Sequence, residues 1–452
     1  FTGNQRNAPA VVHENIRGYP EWRIVSNTLA TKERLAWALG TTEEDFLKDV
    51  APKSDVRVPP MEVATGPCKE IKWFGDDVDL RKIPIPFTGL FEGTPNITAG
   101  ISNVADPETG WQNIAVRRFG LKGKTRLSEF ISPSQQDAQI WIKYRRMKKK
   151  MPIAIIIGTD PICYLGSQMK APPGVCEYEI WGSFSGMPLE VVKCETSDLL
   201  VPATAEIILE GEVDPFEREL DGPFTEYLGY YTTIASVARV EIKCITMRKD
   251  PIYYYMNMGV PPTEGHNIGA NMNAVSVFRE LTKAFPGILD IHMHRLWGWP
   301  TIVKVDKRIS KNWSQMAFQI ATFVRNLGLY KGVIIVDDDV NDVSNLEEIF
   351  DVLTSKFQAT KDFTVIPRTV GNGLDPSEPW GGGWGMTDFW IMDLTEKPAP
   401  YDEGYKRGKA LPPEDAMKKV EASWSKYGFK AVSYTHLRAH ETSLHLVCRL
   451  LL

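Results

Sequence analysis

Two carboxylates flank a glycine–proline turn in the segment 219–231, which reads ELDGPFTEYLGYY. A Gly-Pro pair turns the chain sharply and fixes one backbone dihedral angle. Phe224 and three tyrosines would leave a carboxylate among them poorly solvated, which raises its pKa toward the range useful for proton transfer. A second carboxylate beside a cation would stay ionised, so that Asp221 and Glu226 could supply one acid and one anchor. An acidic turn on the surface is the alternative.

A second stretch, residues 111–118, reads WQNIAVRR and has the pattern of a β-strand. Side chains alternate along a strand, so Asn113 and Arg117 would share one face while Arg118 points to the other. An arginine can hold a carboxylate through two parallel hydrogen bonds, and an asparagine offers a hard oxygen ligand. The alternative is that these are ordinary surface residues.

A third stretch, residues 166–177, reads GSQMKAPPGVCE and is typical of an irregular loop. Its free backbone groups could meet a ligand, and it ends in an acid, Glu177. A plain connecting loop is the alternative.

Histidines offer two further candidates. His292 and His294 would place two imidazoles on one face of a strand, a candidate metal pair. His266 lies in a segment predicted as a loop that could border a substrate. Three more histidines fall in residues 431–452, a tail that resembles translated adapter or vector sequence and that we leave out of functional argument.

The bulk composition excludes several classes of protein. The chain has 452 residues, 43% hydrophobic and 24% charged, and a net charge of -5, which gives no electrostatic footprint for nucleic acid or an anionic membrane. No apolar run approaches the roughly 18 to 20 residues of a membrane span. The six cysteines are scattered without a CxxC pair, which predicts reduced thiols in a cytoplasmic protein.

The secondary-structure pattern changes twice along the chain. Residues 1–90 indicate a small α/β segment. Residues 91–256 contain many short strand signals and one helical pattern, residues 136–149, which favours a barrel-like β domain. In residues 257–430 helical patterns, the first predicted from Val275 to Ala284, alternate with strand patterns such as 301–305, which predicts βα units around a second sheet. The predicted fold class is therefore α+β, with a central β-barrel between two α/β parts.

Taken together, the three stretches resemble the UbiD family of decarboxylases, which includes ferulic-acid decarboxylase. The likeness extends over nearly all of residues 10–430. Members usually carry several dozen residues before the first shared motif, so we expect that this chain begins part-way into its gene product. The other motifs that carry the resemblance are Gly18–Pro20, Arg34–Gly40, Val192–Glu206 and Trp424–Phe429.

The resemblance implies a carboxy-lyase. The implied reaction is the reversible, non-oxidative decarboxylation of an aromatic or α,β-unsaturated carboxylic acid through a covalent adduct with prenylated FMN, which a flavin prenyltransferase supplies. A divalent metal, commonly Mn2+, and K+ would hold the flavin phosphate. Residues 91–256 would form a split β-barrel that binds the flavin, and residues 257–430 a domain for assembly into a homodimer or larger homo-oligomer. The alternatives are a subunit of a multi-component aromatic carboxylase and a non-catalytic flavin-binding homologue.

The resemblance also implies catalytic roles. Arg118 would hold the substrate carboxylate, Glu226 would protonate the carbon left after CO2 departs, and Asp221 would pair with the arginine. The family usually has glutamate where this chain has Asp221, and glycine where it has Thr225.

The implied metal ligands are Asn113, Glu177 and Gln135. The last stands where the family normally has histidine, which weakens the metal site. The glycine-rich stretch 380–386 lacks the lysine that often contacts the phosphate in the family. The implied cofactor-binding residues are Thr98, Arg118, Gln135, Ser167 and Met169.

Overall fold

The computed structural model describes most of residues 8–396 and a short segment after them. The described residues are 8–132, 135–169, 171–294, 300–306, 313–328, 330–371, 374–377, 386–396, 410 and 412–427. The chain divides into two compact units, residues 1–396 and 397–452. None of the described helices combines the length and the apolar character needed to cross a membrane.

Eighteen strands and ten α-helices lie within the described residues. The strands are β1 (Val11–His13), β2 (Arg23–Ser26), β3 (Met61–Glu62), β4 (Ile71–Phe74), β5 (Asn96–Ala105), β6 (Gln112–Leu121), β7 (Arg126–Glu129), β8 (Met151–Ile157), β9 (Glu190–Lys193), β10 (Leu200–Pro202), β11 (Ile207–Asp221), β12 (Ala235–Met247), β13 (Ile252–Tyr254), β14 (Ile288–Met293), β15 (Thr301–Val305), β16 (Gly332–Asp337), β17 (Phe363–Val370) and β18 (Met386–Asp393). The helices are α1 (Lys32–Ala38), α2 (Phe46–Lys53), α3 (Gln136–Met147), α4 (Pro161–Gly166), α5 (Glu177–Ser185), α6 (Glu264–Ala284), α7 (Trp313–Leu327), α8 (Leu346–Lys356), α9 (Ala359–Asp362) and α10 (Glu414–Ala422).

Six strands close into a β-barrel. They pair in the order β11-β8-β5-β6-β7-β12, and β12 pairs back to β11, while β4 extends the sheet beyond β12. Alternate residues of all six strands join one apolar cluster that fills the barrel, with Ile153, Ile155 and Ile157 as the contribution of β8. The intervening residues Ala154 and Ile156 face outward into a second cluster. Because both faces are covered, β8 is an uninterrupted apolar run in the sequence.

Helices cover the outer face of the barrel and carry the chain to a second sheet. The helices α4 and α5 pack there with α6, which has apolar residues on two faces. Ile268, Met272 and Val275 face the barrel side, whereas Ala274 and Val277 face the second sheet. That sheet has the order β14-β15-β16-β18-β17, with β15, β16 and β18 parallel.

The predicted fold class, an α+β chain with a central β-barrel, is confirmed. β15 spans the residues that the strand pattern predicts, 301–305, but α6 begins at Glu264, eleven residues before the predicted start at Val275. The first half of α6 is rich in Gly and Asn and is buried on two faces, so it lacks the single apolar stripe of an amphipathic helix. The domain boundaries stay a prediction, and the tail 431–452 lies outside the described residues.

Candidate active site

An ion pair joins the ends of two barrel strands. Arg118 lies three residues before the end of β6 at Leu121, and Asp221 is the final residue of β11. The Nη2 atom of Arg118 donates to Oδ2 of Asp221 over 2.6 Å. The other oxygen of Asp221 accepts a 2.7 Å hydrogen bond from Ser128 Oγ, and Lys122 Nζ lies 3.9 Å from it. Asp221 is buried, so these contacts compensate the desolvation of its charge.

A β-bulge faces Arg118. Ile97 pairs with Phe119 and Gly100 pairs with Arg117, so two residues of β5 lie opposite Arg118 alone. The Nη1 atom of Arg118 donates to Oδ1 of Asn96 over 3.0 Å, which fixes the plane of the guanidinium group. Arg117 has a different partner: its Nε atom lies 2.7 Å from Asp137 Oδ2. The two neighbouring arginines are therefore held on separate networks.

Residues 222–232 form a tight turn with Glu226 near its tip. Gly222 has a φ of +89°, and a Cβ there would lie 2.6 Å from the Thr233 carbonyl oxygen, so the position requires glycine. Two main-chain hydrogen bonds span the turn. The Glu226 N–H donates to the Tyr230 carbonyl over 2.9 Å, and the Thr232 N–H donates to the Phe224 carbonyl over 2.8 Å. These bonds carry Glu226 back toward the arginine, and its Oε1 atom lies 3.9 Å from Arg118 Nε.

Aromatic side chains surround this turn unevenly. The Phe224 ring is buried and lies against the guanidinium group of Arg118, 4.2 Å from its centroid to Cζ. Tyr227 is largely covered, whereas Tyr230 and Tyr231 are exposed. Of the four aromatic residues expected to surround the acids, two therefore do so.

The two carboxyl groups have opposite pKa shifts. Burial would raise the pKa of Asp221, but the hydrogen bond and the charge of Arg118 outweigh it and hold that pKa below its ordinary value. Burial raises the pKa of Glu226 above its ordinary value, and the more distant Arg118 only partly offsets the rise. One site thus contains an ionised anchor and a carboxyl group that retains its proton to higher pH.

Asn113 and Glu177 are brought together at another part of the barrel. Both are buried, and Glu177 Oε2 accepts a 2.9 Å hydrogen bond from the main-chain N–H of Ile114, the residue after Asn113. Burial raises the pKa of Glu177 to about 8, although this hydrogen bond acts in the opposite direction. A cation would reverse that rise by compensating the buried charge.

Gln135 caps the start of α3 next to the loop that precedes α5. Gln136 Nε2 donates to the Ala171 carbonyl over 3.0 Å, which ties the two segments together. The Oε1 atom of Gln135 is buried and has no protein hydrogen-bond partner. Within the described residues no group of three or more His, Cys, Asp or Glu side chains could hold a metal ion.

The remaining cofactor candidates have different surroundings. Thr98 lies in the bulge opposite Arg118, and its Oγ1 atom is buried without a protein partner. The Ser167 hydroxyl instead donates to the Cys163 carbonyl over 2.6 Å, and Met169 packs against Ser276, whose hydroxyl lies 3.8 Å from the sulfur. The main-chain N–H groups of Ser167 and Met169 also donate, to the Cys163 and Gly166 carbonyls, so these two residues offer a ligand acceptor atoms rather than donors.

Sequence reasoning missed the partners that fix the acids and arginines. Asn96 and Ser128 hold Arg118 and Asp221, and Glu129 lies buried near Arg117 and Asp137 with its pKa raised to about 8 by burial and by the Asp137 charge. These positions follow from cross-strand pairing, such as Phe119 with Glu129, which has no local sequence signal.

The other histidine candidates gain little support. The ring centroids of His292 and His294 are 6.3 Å apart, and β14 ends at Met293 between them. His266 lies in the first turn of α6 rather than in a loop, and it is buried. The glycines at 381–383 and 385 lie outside the described residues.

The chain matches three family models that follow one another. They are the 3-octaprenyl-4-hydroxybenzoate carboxy-lyase N-terminal domain over residues 2–53, the Rift-related domain (UbiD) over 61–261 and the C-terminal domain over 266–389.

Solved structures of similar proteins share the fold. The UbiD-class enzyme HmfF from Pelotomaculum thermopropionicum, in complex with FMN, is 28% identical with a TM-score of 0.81 over 92% of each chain. An evolved dimeric form of that enzyme, in complex with prFMN, is 26% identical with a TM-score of 0.79 over 92% of this chain and 91% of its own. Vanillic acid decarboxylase from Sedimentibacter hydroxybenzoicus, in closed form, is 27% identical with a TM-score of 0.83 over 95% and 92%.

The ion pair predicts a pH-dependent stability change for Asp221→Asn. We expect the free energy of unfolding to fall by about 1.5–3 kcal/mol near neutral pH, because Arg118 loses a charged acceptor. The folded-state pKa of Asp221 lies below the ordinary value of 3.8, so its stabilisation is present above that value and is lost as pH falls through the folded-state pKa. The difference between the two proteins should therefore shrink in acid, as measured by denaturant unfolding at a series of pH values.

Asp198→Asn is the matched control, because Asp198 pairs with Lys193 on the surface and its side chain is 93% exposed. It should change stability by less than about 0.5 kcal/mol. An Asp221→Asn effect that stays constant with pH would contradict the assigned ion pair.

Proposed function

Because the chain belongs to the UbiD family of carboxy-lyases, we propose that it catalyses the reversible, non-oxidative decarboxylation of an aromatic or α,β-unsaturated carboxylic acid with prenylated FMN as cofactor. The observation that carries this proposal is Arg118 held 2.6 Å from Asp221 while Glu226 lies 3.9 Å away with its pKa raised. Such a trio combines a cationic carboxylate holder with a separate proton donor. A similar enzyme solved with prFMN and another named for vanillic acid support the cofactor and the substrate class.

The residues present fit a flavin cofactor. Buried oxygens without a protein partner, at Thr98 and Gln135, suit a ligand that brings its own donors or a bound cation. When bound, prenylated FMN would supply an electrophilic carbon that accepts electron density as CO2 leaves. We assign its contacts to Thr98, Arg118, Gln135, Ser167 and Met169.

The donor set near Asn113 fits a hard divalent cation such as Mn2+. Asn113, Gln135 and Glu177 would offer two amide oxygens and one carboxylate, and oxygen ligands suit Mg2+ and Mn2+. The buried Glu177 supplies the negative charge. An amide oxygen binds more weakly than imidazole, so we expect the metal to be retained loosely. K+ would use main-chain oxygens of the loop that contains Ser167 and Met169.

Arg118 is the group we assign to the substrate carboxylate. Two of its five N–H bonds go to Asn96 and Asp221, which fixes the guanidinium plane and leaves others for a ligand. The charges of Arg118 and Asp221 cancel, and a protonated Glu226 adds none. An incoming carboxylate therefore meets no excess negative charge among these three residues.

Glu226 is the proton donor in this scheme. Its raised pKa keeps a larger fraction protonated near neutral pH than an exposed glutamate would have. Its side chain is 23% exposed, so it can regain a proton from solvent after each turnover. In the carboxylation direction the same carboxylate would remove the proton from the substrate.

The decisive test is expression together with a flavin prenyltransferase. Absorbance and mass spectra of the purified protein should then show modified flavin bound at about one per chain, and CO2 release should be assayed with vanillate and cinnamate. Failure to bind modified flavin would contradict the proposal. Bound flavin without turnover of any acid would favour the alternative of a non-catalytic homologue.

Glu226→Gln should abolish turnover while flavin stays bound. Loss of a general acid costs at least about a hundredfold in rate, and the amide leaves the volume of the side chain unchanged. In the unmodified enzyme kcat should fall as pH rises through the raised pKa of Glu226, because the acid form is needed. Glu219→Gln is the control, since Glu219 pairs with Arg126 at 3.4 Å, away from Arg118. Full decarboxylation by Glu226→Gln would refute the assigned role.

Gln135→His should increase metal retention. Imidazole donates more strongly than an amide oxygen, so elemental analysis after dialysis should find more Mn2+ per chain. Gln139→His, on the exposed side of α3, is the matched control and should leave the metal content unchanged. An equal metal content in both variants would argue against placing Gln135 at the metal.

A further inference from the structure

The main chain of the residues on both sides of Glu226 is bound by buried side chains from outside its turn. The main-chain N–H of Thr225 donates to Glu92 Oε1 over 3.2 Å. The main-chain carbonyl of Tyr227 accepts a hydrogen bond from His266 Nε2. Neither Glu92 nor His266 belongs to the catalytic trio, yet each contacts a residue adjacent to Glu226.

Glu92 connects the turn to the loop 87–93. Its second oxygen accepts a 2.8 Å hydrogen bond from the Thr88 N–H. The buried carboxylate of Glu92 is therefore bonded both within its own loop and to the turn. The Gly93 N–H adds a 2.9 Å hydrogen bond to the Pro223 carbonyl. The loop 87–93 is therefore fastened to the turn by two hydrogen bonds.

His266 connects the turn to the first turn of α6. The Thr263 N–H lies 3.1 Å from Nδ1, and a main-chain N–H can only donate, so Nδ1 accepts and Nε2 carries the proton toward Tyr227. The two rings also pack with their centroids 3.9 Å apart. The imidazole is fully buried, and both of its ring nitrogens are bonded within the protein.

The carboxyl group of Glu226 is held weakly by comparison. It accepts a 3.2 Å hydrogen bond from the adjacent Tyr227 N–H and lies 3.9 Å from Arg118 Nε. Its position therefore depends chiefly on where the main chain of the turn places its Cα atom. A shift of about 1 Å in a reacting group can reduce a rate about a hundredfold.

We propose that Glu92 and His266 are positioning residues that hold the proton donor Glu226 by clamping the main-chain N–H of Thr225 and the main-chain carbonyl of Tyr227, the residues before and after it. The inference rests on the proposed function for the role of Glu226, while the clamp itself is testable without substrate. The variants are Glu92→Ala and His266→Ala in the full chain with flavin bound. Glu92→Gln and His266→Gln keep one acceptor and one donor, respectively, and should be milder.

Hydrogen exchange measures the clamp directly. The amides of Glu226, Gly229 and Thr232 are bonded across the turn, so peptides covering 222–233 should exchange about five- to tenfold faster in each Ala variant. Two controls remove comparable residues elsewhere: Glu70→Ala loses a surface acceptor of the Lys249 N–H, and His13→Ala loses an exposed imidazole. Neither control should alter exchange in 222–233.

The infrared C=O band of protonated Glu226, identified by its absence in Glu226→Gln, measures the position of the carboxyl group. Its titration midpoint should fall toward that of an ordinary glutamate in the Ala variants, because a loosened turn admits water. A residue that merely supports the fold would lower the melting temperature without moving this midpoint. Where a substrate is available, kcat should fall roughly ten- to a hundredfold with KM within about threefold.

Unchanged exchange in 222–233, or an unchanged midpoint of the Glu226 band, would overturn the clamp. An unchanged kcat in the Ala variants of an active enzyme would also overturn it. If exchange and midpoint change as expected but no acid is decarboxylated by the unmodified holoenzyme, the clamp is supported and the proposed reaction is refuted.

Discussion

The ion pair between Arg118 and Asp221 is the interaction on which the rest of the site depends. It joins residues 103 positions apart and fastens the end of β11 to β6. Buried charges are costly unless hydrogen bonds complete their solvation. Asn96, Ser128 and the face of Phe224 provide that completion, so the pair is held in one geometry. The bulge in β5 and the barrel closure are the structural means by which these groups reach the two charged residues.

The ion pair also influences the pKa of the second acid, Glu226. The Nη2 atom of Arg118 lies 2.6 Å from Asp221, whereas its Nε atom lies 3.9 Å from Glu226. The effect of burial on Glu226 therefore exceeds the attraction of Arg118, and its pKa rises while that of Asp221 falls. The division of roles between the acids follows from unequal access to one cation. Aspartate at 221, shorter by one methylene than the usual glutamate, is accommodated without lengthening this contact.

Sequence reasoning selected the candidate site residues but not the residues that fix their side chains in place. The many short strand signals in residues 91–256 and the alternating helices and strands after residue 257 were sufficient to predict a barrel and a second sheet. Arg118, Asp221 and Glu226 were proposed as site residues because their segments carry a family resemblance. Asn96, Ser128 and Glu92 were not found, since their roles arise from register, from a bulge and from a loop packed against a distant turn. The early start of α6 was missed because a helix buried on two faces has no single apolar stripe.

The role of proton donor that we propose for Glu226 limits the contacts that can fix its position. A strong cation or several hydrogen bonds on the carboxylate of Glu226 would fix the group but would also lower its pKa and deprotonate it near neutral pH. Contacts made to the neighbouring peptide groups avoid this conflict, because they restrain the backbone without stabilising the charged form of the side chain. Glu92 and His266 make contacts of that kind, on Thr225 and Tyr227. Arg118 can be held through its own side chain, since a guanidinium group keeps its charge under any of these contacts. Arg118 is thus held through its side chain, whereas Glu226 is held through the main chain of the residues beside it.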